Sequence, residues 1–113
     1  MLSRKYKLKK DNDFKKVFKN GIYQQKDFIK IKFLKNNLEI NRFSFIVGLK
    51  ISKKAVQRNK IKRRLEEIIR LNFKQIIIGF DIIVFVDKEI LEKEYIKIEE
   101  NLVYLLKKSK LII

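Results

Sequence analysis

Two stretches of the chain alternate between apolar and polar residues, which is the pattern of a strand covered on one face only. They are "FIKIKFL" at 28–34 and "RFSFIVGLK" at 42–50, and the polar segment "NNLEIN" lies between them. The apolar faces consist of Ile29, Ile31 and Phe33 in the first stretch and of Phe43, Phe45, Val47 and Leu49 in the second. Because a turn-like segment joins the two stretches, we predict that they pair as antiparallel neighbours.

Three other stretches repeat their apolar residues with the period of an α-helix. "DNDFKKVFKNG" (11–21) predicts a short helix that starts at capping residues and ends at glycine. A long helix is predicted over 54–75, and a third over 88–108 with lysines favourably placed at its end. The apolar positions are Phe14, Val17 and Phe18 in the first helix, Ile61, Leu65, Ile68 and Ile69 in the second, and Leu91, Tyr95, Ile98, Leu102 and Leu105 in the third.

The run "DIIVFV" at 81–86 is continuously apolar, as in a strand covered on both faces, although periodicity alone also allows a buried helical segment. The order is therefore α-β-β-α-β-α, and a further short strand early in the chain makes it αβββαβα. We predict an α/β (α+β) two-layer sandwich, with the helices on one face of a small mixed sheet. The length of 113 residues suits one domain, which we assign to 1–113.

The composition points to a folded protein with a polyanionic partner. The chain carries 29 basic and 13 acidic residues, a net charge of +16, while 46% hydrophobic residues argue against a disordered polycation. Nucleic acid is the first candidate partner and an anionic membrane surface the second. The absence of Cys and His excludes Cys/His metal sites and the common catalytic arrangements. Because no apolar run suits a signal peptide or a membrane span, we expect a cytoplasmic protein.

The segment 50–64 contains eight Lys or Arg residues and no acidic residue. The apolar residues Ile61, Leu65, Ile68 and Ile69 form the core stripe of this helix. Because an α-helix turns by about 100° per residue, Asn59, Lys62 and Arg63 form a polar face beside that stripe. The other candidate residues are Arg58 at the edge of that stripe, Lys60 and Arg64 on the far side, and Lys53 and Lys54 near the helix start. A merely solvated face would show the same pattern, but the net charge favours contacts with RNA or DNA phosphates.

A second candidate surface combines aromatic and basic residues. Phe14 and Phe18 are partly core residues in one interpretation, but aromatic rings beside a basic groove also stack on unpaired bases. Lys30 and Lys32, on the second face of their strand, would add phosphate contacts. Composition alone leaves both interpretations open.

The segment "KKAVQRNKIKRRLEE" resembles the protein component of bacterial ribonuclease P, whose pattern is roughly Lys-x-Ala-Val-x-Arg-Asn-x-x-Lys-Arg-x-x-Arg-Glu. The matching residues are Lys53, Lys54, Ala55, Val56, Arg58, Asn59, Ile61, Lys62, Arg63 and Glu67. "LKKDNDFKKVFKNG" resembles the opening of the family, and "VGLKISKK", "GFDIIVFVD" and "LVYLLKK" follow in the family's order. Two positions depart from the pattern: Lys60 and Glu66 stand where many members have Arg, and Arg64 is a candidate replacement from another face.

The resemblance implies a fold like the second domain of a ribosomal small-subunit protein, with a left-handed βαβ crossover. It also implies the small subunit of a ribonucleoprotein that removes the 5′ leader from precursor tRNA, with one protein per RNA. The RNA subunit carries the chemistry with bound Mg²⁺, and the protein supplies neither a catalytic residue nor a metal site. By position, Arg58, Asn59, Lys62 and Arg63 match the motif helix, and Phe14 and Phe18 match aromatics near the leader cleft.

Three other functions stay open at this point. The first is a ribosomal or general RNA-binding protein without a processing role, since a fold alone assigns no function. The second is a nuclease that acts without RNA. Binding to a membrane surface is least favoured, because the last helix mixes acidic residues into its polar face.

Overall fold

The computed structural model describes residues 2–112, which form three α-helices and one four-stranded sheet. The elements are α1 (Asp11–Asn20), β1 (Ile22–Lys26), β2 (Ile29–Lys35), β3 (Arg42–Ile46), α2 (Ala55–Leu71), β4 (Phe80–Val86) and α3 (Tyr95–Lys108). Short 3-10 turns lie at Arg4–Tyr6, Phe73–Gln75 and Lys88–Glu92. The order αβββαβα and the mixed α+β class are as predicted, including the additional early strand.

The strands lie in the order β1-β2-β4-β3, so the predicted antiparallel pairing of β2 with β3 is wrong. β4 lies between them, antiparallel to β2 and parallel to β3. The polar segment between β2 and β3 forms no hairpin, because its ends bind β4 instead. Asn41 Oδ1 accepts the backbone N–H of Phe80 at 2.8 Å, and Asn36 Nδ2 donates to Asp81 Oδ1 at 2.9 Å. The β3-α2-β4 connection is thus a parallel crossover, whose handedness stays a prediction from the family resemblance.

Helices α2 and α3 cover one face of the sheet. The predicted faces of β2 and of α2 are buried there, which confirms both periodicity assignments. α2 ends at Leu71, earlier than predicted. The expected burial of Leu91 is wrong, because a 3-10 turn precedes α3 and buries Ile90 in its place. Leu49 was also assigned to a buried face, but β3 ends at Ile46 and Leu49 is 69% exposed.

Helix α1 lies on the opposite face of the sheet, contrary to the expectation that all helices share one face. Val17 is fully buried there against Leu8 and Ile83, while Phe14 and Phe85 pack at the margin of this cluster. The second cluster exists because β4 is apolar on both faces, so that each face needs a cover. One short helix covers only part of the second face.

A charged cluster attaches α1 to this second face. The guanidinium of Arg42 donates to both carboxylate oxygens of Asp81 at 2.8 and 2.7 Å, and to Asp13 Oδ2 at 3.2 Å. The hydrogen bond to Asp81 raises the pKa of Arg42. Asp81 is buried at the start of β4, and Asn36 supplies it with a further donor. The pairing compensates the desolvation of this carboxylate and joins α1, β3 and β4.

We predict that Asp81→Asn lowers the free energy of unfolding by about 2 kcal/mol, because Arg42 loses a bidentate, largely buried partner. Urea denaturation measures the change. Asp27→Asn is the matched control, since Asp27 is exposed and lies 3.9 Å from the ammonium group of Lys26. The control should change stability by less than about 0.5 kcal/mol. Equal effects of the two substitutions would contradict the assigned role of the cluster.

Candidate nucleic-acid interface

The segment before α2 holds the first basic residue of the helix in place. The Ser52 hydroxyl accepts the backbone N–H of Lys54 at 3.1 Å and donates to the side chain of Gln57. The Ser52 carbonyl in turn accepts a hydrogen bond from Arg58 Nη1 at 2.9 Å. Arg58 is half-buried, so its guanidinium is positioned beside the helix start before any partner binds.

Three of the candidate residues on α2 come together in one groove. Asn59, Lys62 and Arg63 line it, together with the exposed side chain of Val56 and the carboxylate of Glu66. We call this surface the α2 groove. It lies beside the core stripe, where the helical geometry placed the polar face.

The other basic residues of the segment face different hollows. Lys60 and Arg64 line a hollow on the opposite side of α2, with Ile90 and Leu91 as its wall. Arg64 therefore lies on a different face of α2 from Glu66, as the helical geometry predicted, and its replacement of the family's contact stays a prediction. A further hollow, at the start of α2, is lined by Lys50, Lys53, Lys54 and Lys88.

The start of α2 is electropositive for a second reason. Its first turn contains no acidic residue, and the N-cap residue Lys54 makes no capping bond through its side chain. The partial positive charge of the helix terminus therefore adds to the lysines around it. The acidic residue Glu67 lies farther along, where Arg70 Nη2 donates to it at 2.7 Å and lowers the pKa of Glu67.

The part of the sheet that α1 leaves uncovered combines aromatic rings with lysines. Tyr23, Lys30, Lys32 and Phe85 share this side of strands β1, β2 and β4, and Phe18 lies at its margin. We call these five residues the open sheet face. The rings of Tyr23 and Phe85 are 6.3 Å apart.

Within the open sheet face, the predicted residues Phe18 and Lys32 are in contact. Lys32 Nζ donates to the Phe18 carbonyl at 2.7 Å and lies 5.3 Å from the centre of its ring. Phe18 remains 44% exposed. Phe14, by contrast, packs against the Val17 cluster, so its side chain serves mainly the core.

Lys30 already has a carboxylate partner. Its Nζ donates to Asp87 Oδ1 at 2.8 Å, and this hydrogen bond raises the pKa of Lys30 against the opposing effect of burial. Part of its charge is therefore compensated within the protein. Lys32 has only a carbonyl partner among the bonds of the described residues, so it presents more positive charge to a ligand.

Sequence reasoning missed Tyr23, Phe85 and Asp87. Phe85 lies in a continuously apolar run, so nothing in the pattern separated it from the core, and β1 lacks a regular alternation that could orient Tyr23. Within residues 2–112, no three acidic side chains come together as metal ligands. In the same range, no helix is both long and apolar enough to cross a membrane.

Fold and surfaces together define a small, basic α+β protein with a charged helix and a half-covered sheet. The family model described as Ribonuclease P matches residues 2–110, so the chain belongs to the ribonuclease P protein family. The ribonuclease P protein components of Natranaerobius thermophilus and Alkaliphilus metalliredigens are 38% and 37% identical to it. These alignments span 93% and 94% of this chain and 90% and 95% of the relatives.

Solved structures of bacterial ribonuclease P proteins share the fold. The Thermotoga maritima protein is 35% identical, with a TM-score of 0.82 over 90% of this chain and 96% of that one. A Staphylococcus aureus structure is 28% identical, with a TM-score of 0.88 over 96% of this chain and 98% of that one. The family implied by the sequence motifs is thereby confirmed.

We predict that Arg58→Ala lowers the free energy of unfolding by about 1 kcal/mol, because the Ser52 carbonyl loses its donor. Lys62→Ala should change stability little, since no hydrogen bond or ion pair of Lys62 occurs within residues 2–112. Thermal or urea denaturation without RNA measures both. Equal losses would show that the bond to Ser52 does not order Arg58.

Proposed function

We propose that this chain is the protein subunit of a ribonuclease P ribonucleoprotein and assists endonucleolytic removal of the 5′ leader from precursor tRNA. It binds the catalytic RNA through α2 and the single-stranded leader through the open sheet face, one protein per RNA, in the cytoplasm. The observation that carries the proposal is the pairing of these two surfaces, each built from named basic residues, in a member of the ribonuclease P family.

The α2 groove suits the backbone of a folded RNA. Arg63 offers a planar fork for phosphate oxygens, Lys62 a point charge, and Asn59 neutral hydrogen-bonding groups. Arg58, held by Ser52, extends this surface toward the helix start. Neutralising phosphates releases counterions, so this binding depends strongly on salt.

The open sheet face suits an unpaired strand. Aromatic rings of Phe18, Tyr23 and Phe85 provide stacking surfaces for bases, and every base has a π-face, so stacking tolerates many sequences. Lys32 neutralises leader phosphates beside the ring of Phe18. Lys30 contributes less, because Asp87 already holds its ammonium group.

The chemistry belongs to the RNA subunit, which supplies it with bound Mg²⁺. Mg²⁺ prefers carboxylate and carbonyl oxygens, whereas the α2 groove offers three donor-rich side chains and a single carboxylate. This donor set suits phosphates and not a directly bound Mg²⁺. The residues of the protein therefore bind and orient RNA, and reduce the repulsion between phosphates that Mg²⁺ would otherwise have to screen.

We expect this chain to lower the Mg²⁺ concentration at which a bacterial ribonuclease P RNA cleaves precursor tRNA. Arg58→Ala and Lys62→Ala should each weaken assembly by roughly 1–3 kcal/mol, since each removes a charged contact. Lys97→Ala is the matched control, because Lys97 is an exposed lysine on α3 beside Glu100. A cleavage rate at low Mg²⁺ that is the same with and without the protein would contradict the function. An affinity for the RNA that does not change with salt concentration would also contradict it.

Phe18→Ala should weaken the binding of precursor tRNA to the assembled ribonucleoprotein by roughly 1–3 kcal/mol, the magnitude of one lost base stack. The affinity for mature tRNA, which lacks the leader, should not change. Tyr104→Ala is the control, since Tyr104 is an aromatic residue of similar exposure (49%) on α3. A loss that also affects mature tRNA would place the contact of Phe18 outside the leader.

A further inference from the structure

Helix α1 carries lysines that belong to neither of the two proposed surfaces. Lys15, Lys16 and Lys19 are exposed, and none of them forms an ion pair within residues 2–112. Lysines three or four positions apart repel each other across one turn of a helix. The C-terminal end of the helix favours Lys19, but Lys15 and Lys16 lie in its middle. Helix stability alone therefore does not account for these lysines.

The acidic residues of α1 leave this charge largely uncompensated. The carboxylate of Asp13 is bound to Arg42 at 3.2 Å. Asp11 lies one turn before Lys15, yet no ion pair joins the two side chains among the described residues. The solvent-exposed side of α1 is thus positively charged and suits an anionic partner.

Two of the lysines continue the open sheet face around α1. Val17 marks the buried side of the helix. Counted from Val17 at about 100° per residue, Phe18 lies near 100°, Lys15 near 160° and Lys19 near 200°. Lys16 lies near 260°, on the far side of the helix from Phe18. A strand that leaves the open sheet face past Phe18 therefore reaches Lys15 and Lys19 next.

The strand register gives the open sheet face two distinct ends. At one end Lys30 pairs with Phe85, beside hollows that Lys88 borders and that lead to the start of α2. At the other end Lys32 pairs with Ile83, which α1 covers. Under the proposed function the leader nucleotides next to the cleavage site lie at the α2 end, because α2 binds the catalytic RNA. Nucleotides farther upstream then leave the face at its α1 end.

We propose that Lys15 and Lys19 bind phosphates of the upstream part of the leader, beyond the nucleotides that lie on the open sheet face. The two lysines are one turn apart, about 6 Å along the helix axis, and offer two successive point charges to one strand. Contacts of this kind read no base, so they make the affinity depend on leader length and not on leader sequence. This inference rests on the proposed function, which assigns the leader to the open sheet face.

The test measures how tightly the assembled ribonucleoprotein binds mature tRNA and precursor tRNAs with leaders of about five and about twelve nucleotides, within the range that single-strand-binding domains cover. In the wild type, we expect affinity to rise from mature tRNA to the short leader and again to the long leader. The double variant Lys15→Ala, Lys19→Ala should bind the long leader about tenfold more weakly and the short leader as the wild type does. Its salt dependence for the long leader, the slope of log affinity against log salt, should fall by about 1.4, since each single-strand phosphate contributes about 0.7.

Two control variants separate a contact from a general effect of charge. The double variant Lys107→Ala, Lys108→Ala removes two exposed lysines from the end of α3, which covers the other face of the sheet. It should change neither the affinity gained from the longer leader nor the salt slope. The double variant Lys15→Arg, Lys19→Arg keeps both charges and should keep the gain.

The outcomes distinguish this inference from the proposed function. If Lys15→Ala, Lys19→Ala leaves the affinity for the long leader unchanged, α1 is merely solvated and the inference is wrong. If it weakens both leaders and mature tRNA equally, the lysines contact another part of the RNA and the inference is also wrong. If the wild type binds the short leader no more tightly than mature tRNA, the assignment of the leader to the open sheet face fails, and with it the proposed function.

Discussion

Burial of β4 on both faces is the constraint on which the arrangement of the other elements depends. Ile82 and Val84 point toward α2 and α3, and Ile83 points toward α1. A strand of this kind is stable only in the interior of a sheet with a cover on each side. Its central position separates β2 from β3 and makes β3-α2-β4 a parallel crossover, which places the basic helix along one side of the sheet.

The position of α1 decides how much of the second face stays accessible. The ion pairs of Arg42 with Asp13 and Asp81 attach the first turn of α1 to β3 and β4. Its last turn runs directly into β1 at Gly21, where a Cβ atom would collide with the carbonyl of Val17 and press closely on that of Phe33. Held at both ends, the helix leaves the far part of the face uncovered and places Phe18 beside Lys32.

The two proposed binding surfaces lie on different sides of the sheet, and the loop after β3 connects them. Hollows at the carboxyl ends of β3 and β4 are lined by Ile46 and Phe85 at one end and by lysines at the other. Lys50 and Lys88 border both hollows. Lysines therefore continue from the margin of the open sheet face to the start of α2.

The sequence by itself determined the elements, the buried faces of α2 and β2, the concentration of positive charge on one helix, and the family. These properties are local, because a period of 3.6 or 2 residues, or the spacing of a motif, is recognised within one segment of the sequence. The element that packs against the segment need not be known. The polar face of α2 followed from the same local geometry. The predicted burial of Leu49 was wrong because β3 already ends at Ile46, and that of Leu91 was wrong because this residue lies in a 3-10 turn.

Only the tertiary structure decided the strand order, the face that α1 covers, and the partners of individual charges. Asn36 and Asn41 lie between β2 and β3, but their side chains form hydrogen bonds with Asp81 and Phe80 of β4. These bonds join residues about forty positions apart in the sequence. Asp87 compensates part of the charge of Lys30 through a contact of the same long-range kind. Local patterns specify which side of an element is apolar, whereas long-range packing selects the neighbour, because many neighbours offer a similar apolar surface.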